Sequence, residues 1–390
     1  MDRTKVPIGD VKKLILRETD EAILNAAKER QAAVWEGLEP DYLPLVVYGT
    51  IPEQSKYPAY DMREMFFDPE KMLYGQMWSA LQILRGKSDA VPSVRVNFGT
   101  GFLASVFGLE QEISTDKMPW LKKHLTKEEI LGLEPTSLEP IQEKGLIPKW
   151  CKYVSIYRRH LSGTSLHIYL PDTQGMFDLA HLVAGDAIFT EIYDDNDFIR
   201  HLFSLAGYVY QKASSFMKSF ICEPLQSGYH CVLYTPNAGV RSCEDTTTLL
   251  SPKLLDSVLP YLRESVRPFG AWFHFCGDGN HLVERLLSLP ETKGINFGNP
   301  EKYDWPEVFS VISSYGKVYY GTVKRKEKES LPEYFERVLE PLSRKGNLIF
   351  APELQEGEEA LKAIEVWRKV QDRKFDKHPH VFVERRNDTA

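Results

Sequence analysis

His274 and Cys276 stand two residues apart in Phe273-His274-Phe275-Cys276-Gly277-Asp278-Gly279, at the end of an apolar, strand-like run. On a β-strand this spacing points both side chains to one face. Imidazole and thiolate are both zinc ligands, so the pair offers part of a zinc site. The ordinary alternative is a buried cysteine acting as a small hydrophobe beside a hydrogen-bonded core histidine. Other side chains able to do chemistry close other strand-like stretches. Asp172 follows Leu170-Pro171, where it either faces a site or forms a turn. Glu244 and Asp245 follow a strand-to-helix transition, a place where acids also cap helices. Asp172 and Asp245 are the candidate catalytic acids. Arg241 could anchor a substrate carboxylate or pair with Glu244 or Asp245. The amides of Asn97, after Val94-Arg95-Val96, and Asn299, after Phe297-Gly298, could orient a substrate or simply serve turns, and Glu244 is a further substrate-binding candidate. Gly99-Thr100-Gly101 falls short of a phosphate-binding loop and reads as a tight turn.

Composition narrows the function classes. The 390 residues can bury one large core or two modest ones, and 43% hydrophobic with 26% charged residues is ordinary for a globular protein. A net charge of -7 without a Lys/Arg-dense run gives a nucleic-acid partner little support. Met1-Asp2-Arg3-Thr4-Lys5 leads into a charged amphipathic segment, and nothing approaches the roughly 18 apolar residues of a membrane span. A cytoplasmic enzyme with no membrane partner is the expectation. Cys151, Cys222, Cys231, Cys243 and Cys276 are odd in number and scattered, unlike a disulfide framework.

Short β-like runs alternate with longer helical patterns, which predicts a parallel α/β fold. Eight runs are nominated as strands: Leu45 to Tyr48, Ser93 to Asn97, Leu166 to Leu170, Tyr229 to Tyr234, Ala271 to Cys276, Gly294 to Phe297, Lys317 to Tyr320 and Asn347 to Phe350. Tyr153 to Tyr157 is a candidate ninth. Asp195 opens a helix with its apolar stripe at Phe198, Ile199, Leu202, Phe203, Ala206 and Val209, and Ser251-Pro252 opens another. The alternation suggests a (β/α)8 TIM barrel with an N-terminal helical extension: residues 1–40 the extension, 41–375 the barrel, 376–390 a charged tail. Residues 11–36 read as one solvent-facing helix, and Gly108 to Pro148, charged and Pro-interrupted, as an insertion.

Four stretches in order, Pro171-Asp172-Thr173-Gln174-Gly175-Met176-Phe177-Asp178, Tyr193-Asp194-Asp195, Glu244-Asp245 ahead of Leu249-Leu250-Ser251-Pro252, and His274-Phe275-Cys276-Gly277, resemble the uroporphyrinogen decarboxylase superfamily over roughly residues 40 to 370. The resemblance implies a (β/α)8 barrel with its site at the carboxyl ends of the strands. True decarboxylases carry an Arg-rich segment resembling Met-Arg-Gln-Ala-Gly-Arg near the amino terminus, whereas Val46-Val47-Tyr48-Gly49-Thr50-Ile51-Pro52 has no arginine for the carboxylates of a tetrapyrrole. His274-x-Cys276 is similar instead to the zinc pair of the corrinoid-dependent methyltransferases, which take a third ligand, a cysteine, after the last strand. Here that place reads Ala351-Pro352-Glu353-Leu354-Gln355, and no cysteine follows Cys276. The resemblance therefore implies a His274/Cys276/Glu353 zinc set, since zinc accepts carboxylate oxygen. Such a site suits polarising the oxygen of a small methylated donor, such as a methoxylated aromatic compound, over activating a thiol acceptor. In a metal-free version, acids beside the substrate protonate the leaving oxygen. No Asp-x-His-x-x-Gly signature is visible, so the corrinoid would arrive on a separate corrinoid-binding protein. The alternatives are a decarboxylase of the uroporphyrinogen type and a non-catalytic binding protein on the same barrel.

Overall fold

The computed structural model describes residues 6–375, a mixed α/β molecule in which helices surround a five-stranded parallel sheet. The charged tail at 376–390 lies outside the described residues. The sheet runs in the order Leu348–Phe350, Val318–Gly321, Thr292–Phe297, Ala271–Phe275, Val240–Cys243, so chain neighbours are also sheet neighbours. Parallel neighbours need a crossover, and the helices Pro252–Val266, Asn280–Leu287, Trp305–Ser314 and Leu331–Leu339 supply the four. A single parallel bridge from Phe350 to Leu45 continues the sheet past one edge. A separate parallel pair joins Ser93–Val94 to His167–Ile168, extended by Tyr169 N donating to the Val94 carbonyl.

Alternation along each strand separates a helix-facing from an inner face. Val240 and Ser242, or Phe273 and Phe275, are buried against the helices, while Arg241, Cys243, Trp272, His274 and Asn296 share the opposite face. The inner face carries the polar chemistry.

Helix starts follow their sequence signals. Ser251 caps the Pro252–Val266 helix by accepting from Leu254 N, and Asp195 caps Asn196–Phe220 by accepting from the N–H groups of Asp197 and Phe198. Phe198, Ile199, Leu202, Phe203, Ala206 and Val209 are buried as their stripe predicts.

Three expectations are corrected. Tyr229 to Tyr234 does not join the parallel sheet; Gly228–His230 and Leu233–Thr235 form an antiparallel hairpin, and the parallel strand is Val240–Cys243. Tyr153 to Tyr157 lies within the helix Ile147–Leu161, with both tyrosines buried at helical spacing. The segment read as one solvent-facing helix is two, Ile8–Glu18 and Glu21–Trp35, separated where Asp20 caps the second. That second helix is not solvent-facing: Leu24, Ala27, Gln31, Val34 and Trp35 are buried. Gln31 donates to the carbonyls of Asp89 and Val232 and accepts from Tyr234 N, so one buried amide ties the helix to two chain segments. The Gly108 to Pro148 segment packs onto the core through Leu109, Leu121, Ile130, Leu138 and Ile141.

Trp35 also explains Gly294. A Cβ there would lie 2.6 Å from the Val318 carbonyl oxygen and 2.7 Å from the Trp35 ring, so only glycine lets the indole close against the sheet. Gly294→Ala is expected to destabilise the fold by about 1–3 kcal/mol, the usual range for overpacking, read from urea unfolding. An unchanged midpoint would show that Trp35 does not close this surface.

Candidate metal centre

Parallel register brings three strands' side chains together. Cys243 pairs with His274 and His274 with Asn296, so the thiol, the imidazole and the amide stand side by side across the sheet. Ligand atoms of Cys243, Asp245 and His274 all lie within 4.8 Å of one another. Cys276, two residues beyond His274, places Sγ 3.5 Å from His274 Nε2. Around a tetrahedral zinc with its usual ligand distances, sulfur and nitrogen stand about 3.5 Å apart. A thiol hydrogen bond to the ring nitrogen spans the same distance, so the spacing suits both states.

The histidine tautomer is set by its neighbours. Asn296 Nδ2 donates to the Tyr320 carbonyl at 2.5 Å, and a carbonyl can only accept, so the amide oxygen is the atom facing His274 Nδ1. Nδ1 therefore carries the proton, and the Nε2 lone pair points to the thiol and to Asp245. Burial and the Arg241 charge push the His274 pKa down, keeping the ring neutral, as a ligand must be. Asp245 Oδ1 lies 4.0 Å from Nε2 and accepts from Cys276 N at 2.6 Å, which fixes the carboxylate beside the exposed thiol. Burial, with Asp245 adding, pushes the Cys276 thiol up to about 11. Cys243 is raised by its burial as well. The set of the Cys243 thiol, the Asp245 carboxylate and the His274 imidazole has the donor types zinc takes, and the Cys276 thiol stands within reach of the imidazole.

Asp172, Arg241 and Arg95 form a second cluster. Asp172 Oδ1 accepts from Arg241 Nη2 at 3.1 Å and from Gln174 Nε2 at 2.7 Å, while Arg95 Nη1 lies 3.8 Å from Oδ2. Burial raises the Asp172 pKa, but the two guanidiniums together with the Gln174 hydrogen bonds outweigh it and hold the carboxylate below its ordinary value. Arg241 thus pairs with Asp172 rather than with Glu244 or Asp245.

The other candidates have structural partners. Glu244 is fully buried: its carboxylate accepts from the backbone N–H groups of Phe177 and Asp178, at the start of the Met176–Ala184 helix, and from Ser242 Oγ. It caps a helix, and a Cβ at Gly175 would collide with it. In return, Asp178 accepts from Asp245 N at 3.0 Å and Thr246 N at 2.8 Å. Asn299 accepts from Gly277 N and donates to Glu301, both at 2.8 Å, pinning the loop after Cys276. Asn97 accepts from Gly99 N at 3.2 Å in a turn. Glu353 does not join His274 and Cys276: its carboxylate accepts from Lys324 Nζ at 3.1 Å and Arg325 N at 3.0 Å, and the acid beside the imidazole is Asp245. Cys243 and Asn296 join the site beyond the sequence candidates; their sequence signals are the period-two spacing from Arg241 and a polar Asn296 inside an apolar strand.

No family model matches the chain, and no curated protein does. Among solved structures, a methyltransferase from Methanosarcina mazei superposes with a TM-score of 0.61 at 15% sequence identity, covering 89% of this chain and 98% of that one. The likeness shows a shared fold. No described helix is long and apolar enough to cross a membrane.

Two measurements test the site. The protein is expected to bind about one zinc per chain, with His274→Ala and Cys276→Ser abolishing binding, Asn296→Ala weakening it about 10- to 100-fold, and Glu353→Gln leaving it unchanged. Because the thiols start protonated at neutral pH, uptake should release protons into a weakly buffered solution; uptake without proton release would exclude thiolate ligation. The Glu244 and Asp178 pair makes a separate prediction about stability. Burial raises Asp178 to about 7 and Glu244 as well, so the folded state holds these protons more tightly than the unfolded chain. Their contribution is full below the ordinary carboxylate range and is lost as pH rises through about 7. The melting temperature should therefore fall between pH 6 and 8, and a rise over that interval in the metal-free protein would contradict this.

Proposed function

We propose that the chain is a methyltransferase of the corrinoid-linked branch of the uroporphyrinogen decarboxylase superfamily. It would move a methyl group from a small O-methylated donor to the corrinoid of a separate partner protein. The observation that carries this reading is the convergence of Cys243, Asp245 and His274 at the carboxyl ends of two adjacent parallel strands, with Cys276 Sγ 3.5 Å from the His274 ring. Sites of α/β folds gather at such strand ends. The methyltransferase title of the Methanosarcina mazei neighbour agrees with it. The proposed architecture is a (β/α)8 barrel. It is supported by the Leu45–Phe350 bridge at one edge of the sheet and the Ser93–Val94 pairing to His167–Ile168 beyond. Gly175 N donating to the Cys243 carbonyl links the segment after Tyr169 back to the other edge.

An ether oxygen is a poor leaving group, and the reaction needs negative charge on it stabilised. His274 and Cys276, with Asp245 or Cys243, would hold a zinc ion, and that ion would supply Lewis acidity to the leaving oxygen. Asn296 holds the imidazole in its ligating tautomer, and the Cys276 N–H orients Asp245. Asp172, held ionised, is suited to orienting Arg241 and unsuited to donating a proton, so the metal-free version gets no help from it. A decarboxylase acting on a tetrapyrrole would need several free cations, and the two guanidiniums here already share Asp172.

The test is to incubate zinc-loaded protein with free cob(I)alamin and a panel of methoxybenzenes and methoxybenzoates, following methylcobalamin spectroscopically. The proposal expects methylcobalamin from at least one donor and at least a 100-fold slower rate in His274→Ala, in line with loss of a Lewis acid worth several kcal/mol. Release of carbon dioxide from the acids without methylcobalamin would favour the decarboxylase and overturn it.

A further inference from the structure

Lys149, in the first turn of the helix Ile147–Leu161, holds its amine inside a ring of aromatic side chains. Nζ lies 4.0 Å from the Phe66 ring centroid, 4.8 Å from Phe67, 5.0 Å from Phe98 and 5.5 Å from Tyr153. The rings meet one another at steep angles: Phe66 lies 5.2 Å from Phe67 and 5.0 Å from Phe98, and Phe98 lies 5.1 Å from Tyr153. The Tyr153 hydroxyl donates to the Phe66 carbonyl at 3.0 Å, which fastens the cage to the helix. Phe66, Phe98 and Tyr153 are buried, whereas Phe67 is 58% exposed, so one wall stands open to solvent. Lys149 makes no hydrogen bond or ion pair with any described residue. Aromatic faces attract a cation but give it no counter-charge.

The charged groups around the cage do not supply one either. Lys152, on the same helix, repels the ammonium, and the Arg63 guanidinium carbon lies 5.5 Å from the Phe67 ring centroid. Tyr153, pushed up to about 12 by burial and by Asp68, stays neutral, and the Asp68 carboxylate accepts from the N–H groups of Glu70 and Lys71. Burial and the Lys152 charge push the Lys149 pKa down to about 8, so free amine is present near neutral pH. A lysine desolvated beside a second cation is activated as a nucleophile toward carbonyl compounds. Phe66 and Phe67 also line a cavity of about 700 Å³, whose other walls include Val106, Phe107, Leu109 and Leu138. That size and lining suit a small molecule with an apolar body. None of the lining residues belongs to the candidate metal centre.

We propose that Lys149 is a covalent binding site for an aldehyde or ketone whose apolar body occupies this cavity and whose carbonyl reaches the amine past the exposed Phe67 ring. The amine electron pair attacks the carbonyl carbon, and both amine hydrogens leave with the carbonyl oxygen as water, so a C=N bond replaces the C=O bond. No oxidant or reductant takes part. The aromatic walls that give the ammonium no counter-ion also shelter the imine from water. A hydroxylated carbonyl compound would lose its hydration in the cavity without regaining hydrogen bonds from these apolar walls, which selects for an apolar chain or ring. The site stands whether or not the strand-end cluster transfers a methyl group.

The test traps the imine on the full chain with cyanoborohydride, using hexanal as the apolar probe and glyceraldehyde as the polar one, and maps the reduced adducts by peptide mass spectrometry. With hexanal at pH 7.5, Lys149 is expected to react about 10- to 100-fold faster than an exposed lysine such as Lys13, since each unit of lowered pKa gives about tenfold more free amine. Its rate should rise with pH and level off above about 8, and Lys152→Gln should move that midpoint upward by removing the repelling charge. The preference for Lys149 over Lys13 should be at least about tenfold smaller with glyceraldehyde, whose polar body loses the apolar burial. Leu133→Trp, which fills the cavity from a partly exposed position, should remove the hexanal preference, with an unchanged melting temperature establishing that the variant folds. A Lys149 rate equal to that of Lys13, or a midpoint near 10.5, would overturn the nucleophile. An equal preference with both aldehydes, or one that survives Leu133→Trp, would overturn the cavity as the place where the ligand sits.

Discussion

The parallel register of Val240–Cys243, Ala271–Phe275 and Thr292–Phe297 is the constraint on which the rest depends. Cys243 beside His274 beside Asn296 is one row of a sheet, and slipping any strand by one residue would turn its polar side chains into the helix layer. The rows above and below obey the same rule: Arg241 faces Trp272, and Cys276 continues the His274 face into the loop. The burial of Ser242, Phe273, Phe275 and Ile295 on the other face is what makes a slip costly. The apolar layer thus specifies where the polar one stands.

Loops at these strand ends are secured by buried carboxylates crossing between them. Glu244 reaches over to cap the helix that follows Gly175, and Asp178 of that helix reaches back to the N–H groups of Asp245 and Thr246. Asp245 in turn receives the Cys276 N–H. Placing the acid that borders the imidazole therefore takes a chain of backbone contacts running through three segments. Such a preorganised frame lets a ligand set form without rearranging the chain.

The His274-x-Cys276 pair was legible because period-two spacing in an apolar run leaves few other readings. The strand beside it was not, because Val240-Arg241-Ser242-Cys243 looks polar while Tyr229 to Tyr234 looks like a better strand; its polarity reflects an inner face that carries the site. The N-terminal break was readable at Thr19-Asp20, an N-cap signal masked by the continuous amphipathic pattern around it. Glu353 stands at the expected place after the last strand, but position does not say where a carboxylate points; Lys324 and the Arg325 N–H decide that. Asn296 needed the register, which sequence spacing within one strand does not contain. The partnership of Arg95, Asp172 and Arg241 needed three separate segments brought to one place.

The proposed methyl transfer depends on His274 and Cys276 acting as zinc ligands, with a third partner from the adjoining strand end. X-ray absorption at the zinc edge of the loaded protein tests this most directly. The expected result is a four-coordinate shell with at least one sulfur at about 2.3 Å and lighter ligands at about 2.0–2.2 Å, including a histidine scattering pattern. A shell of oxygen and nitrogen alone, or one unchanged in Cys276→Ser, would contradict it.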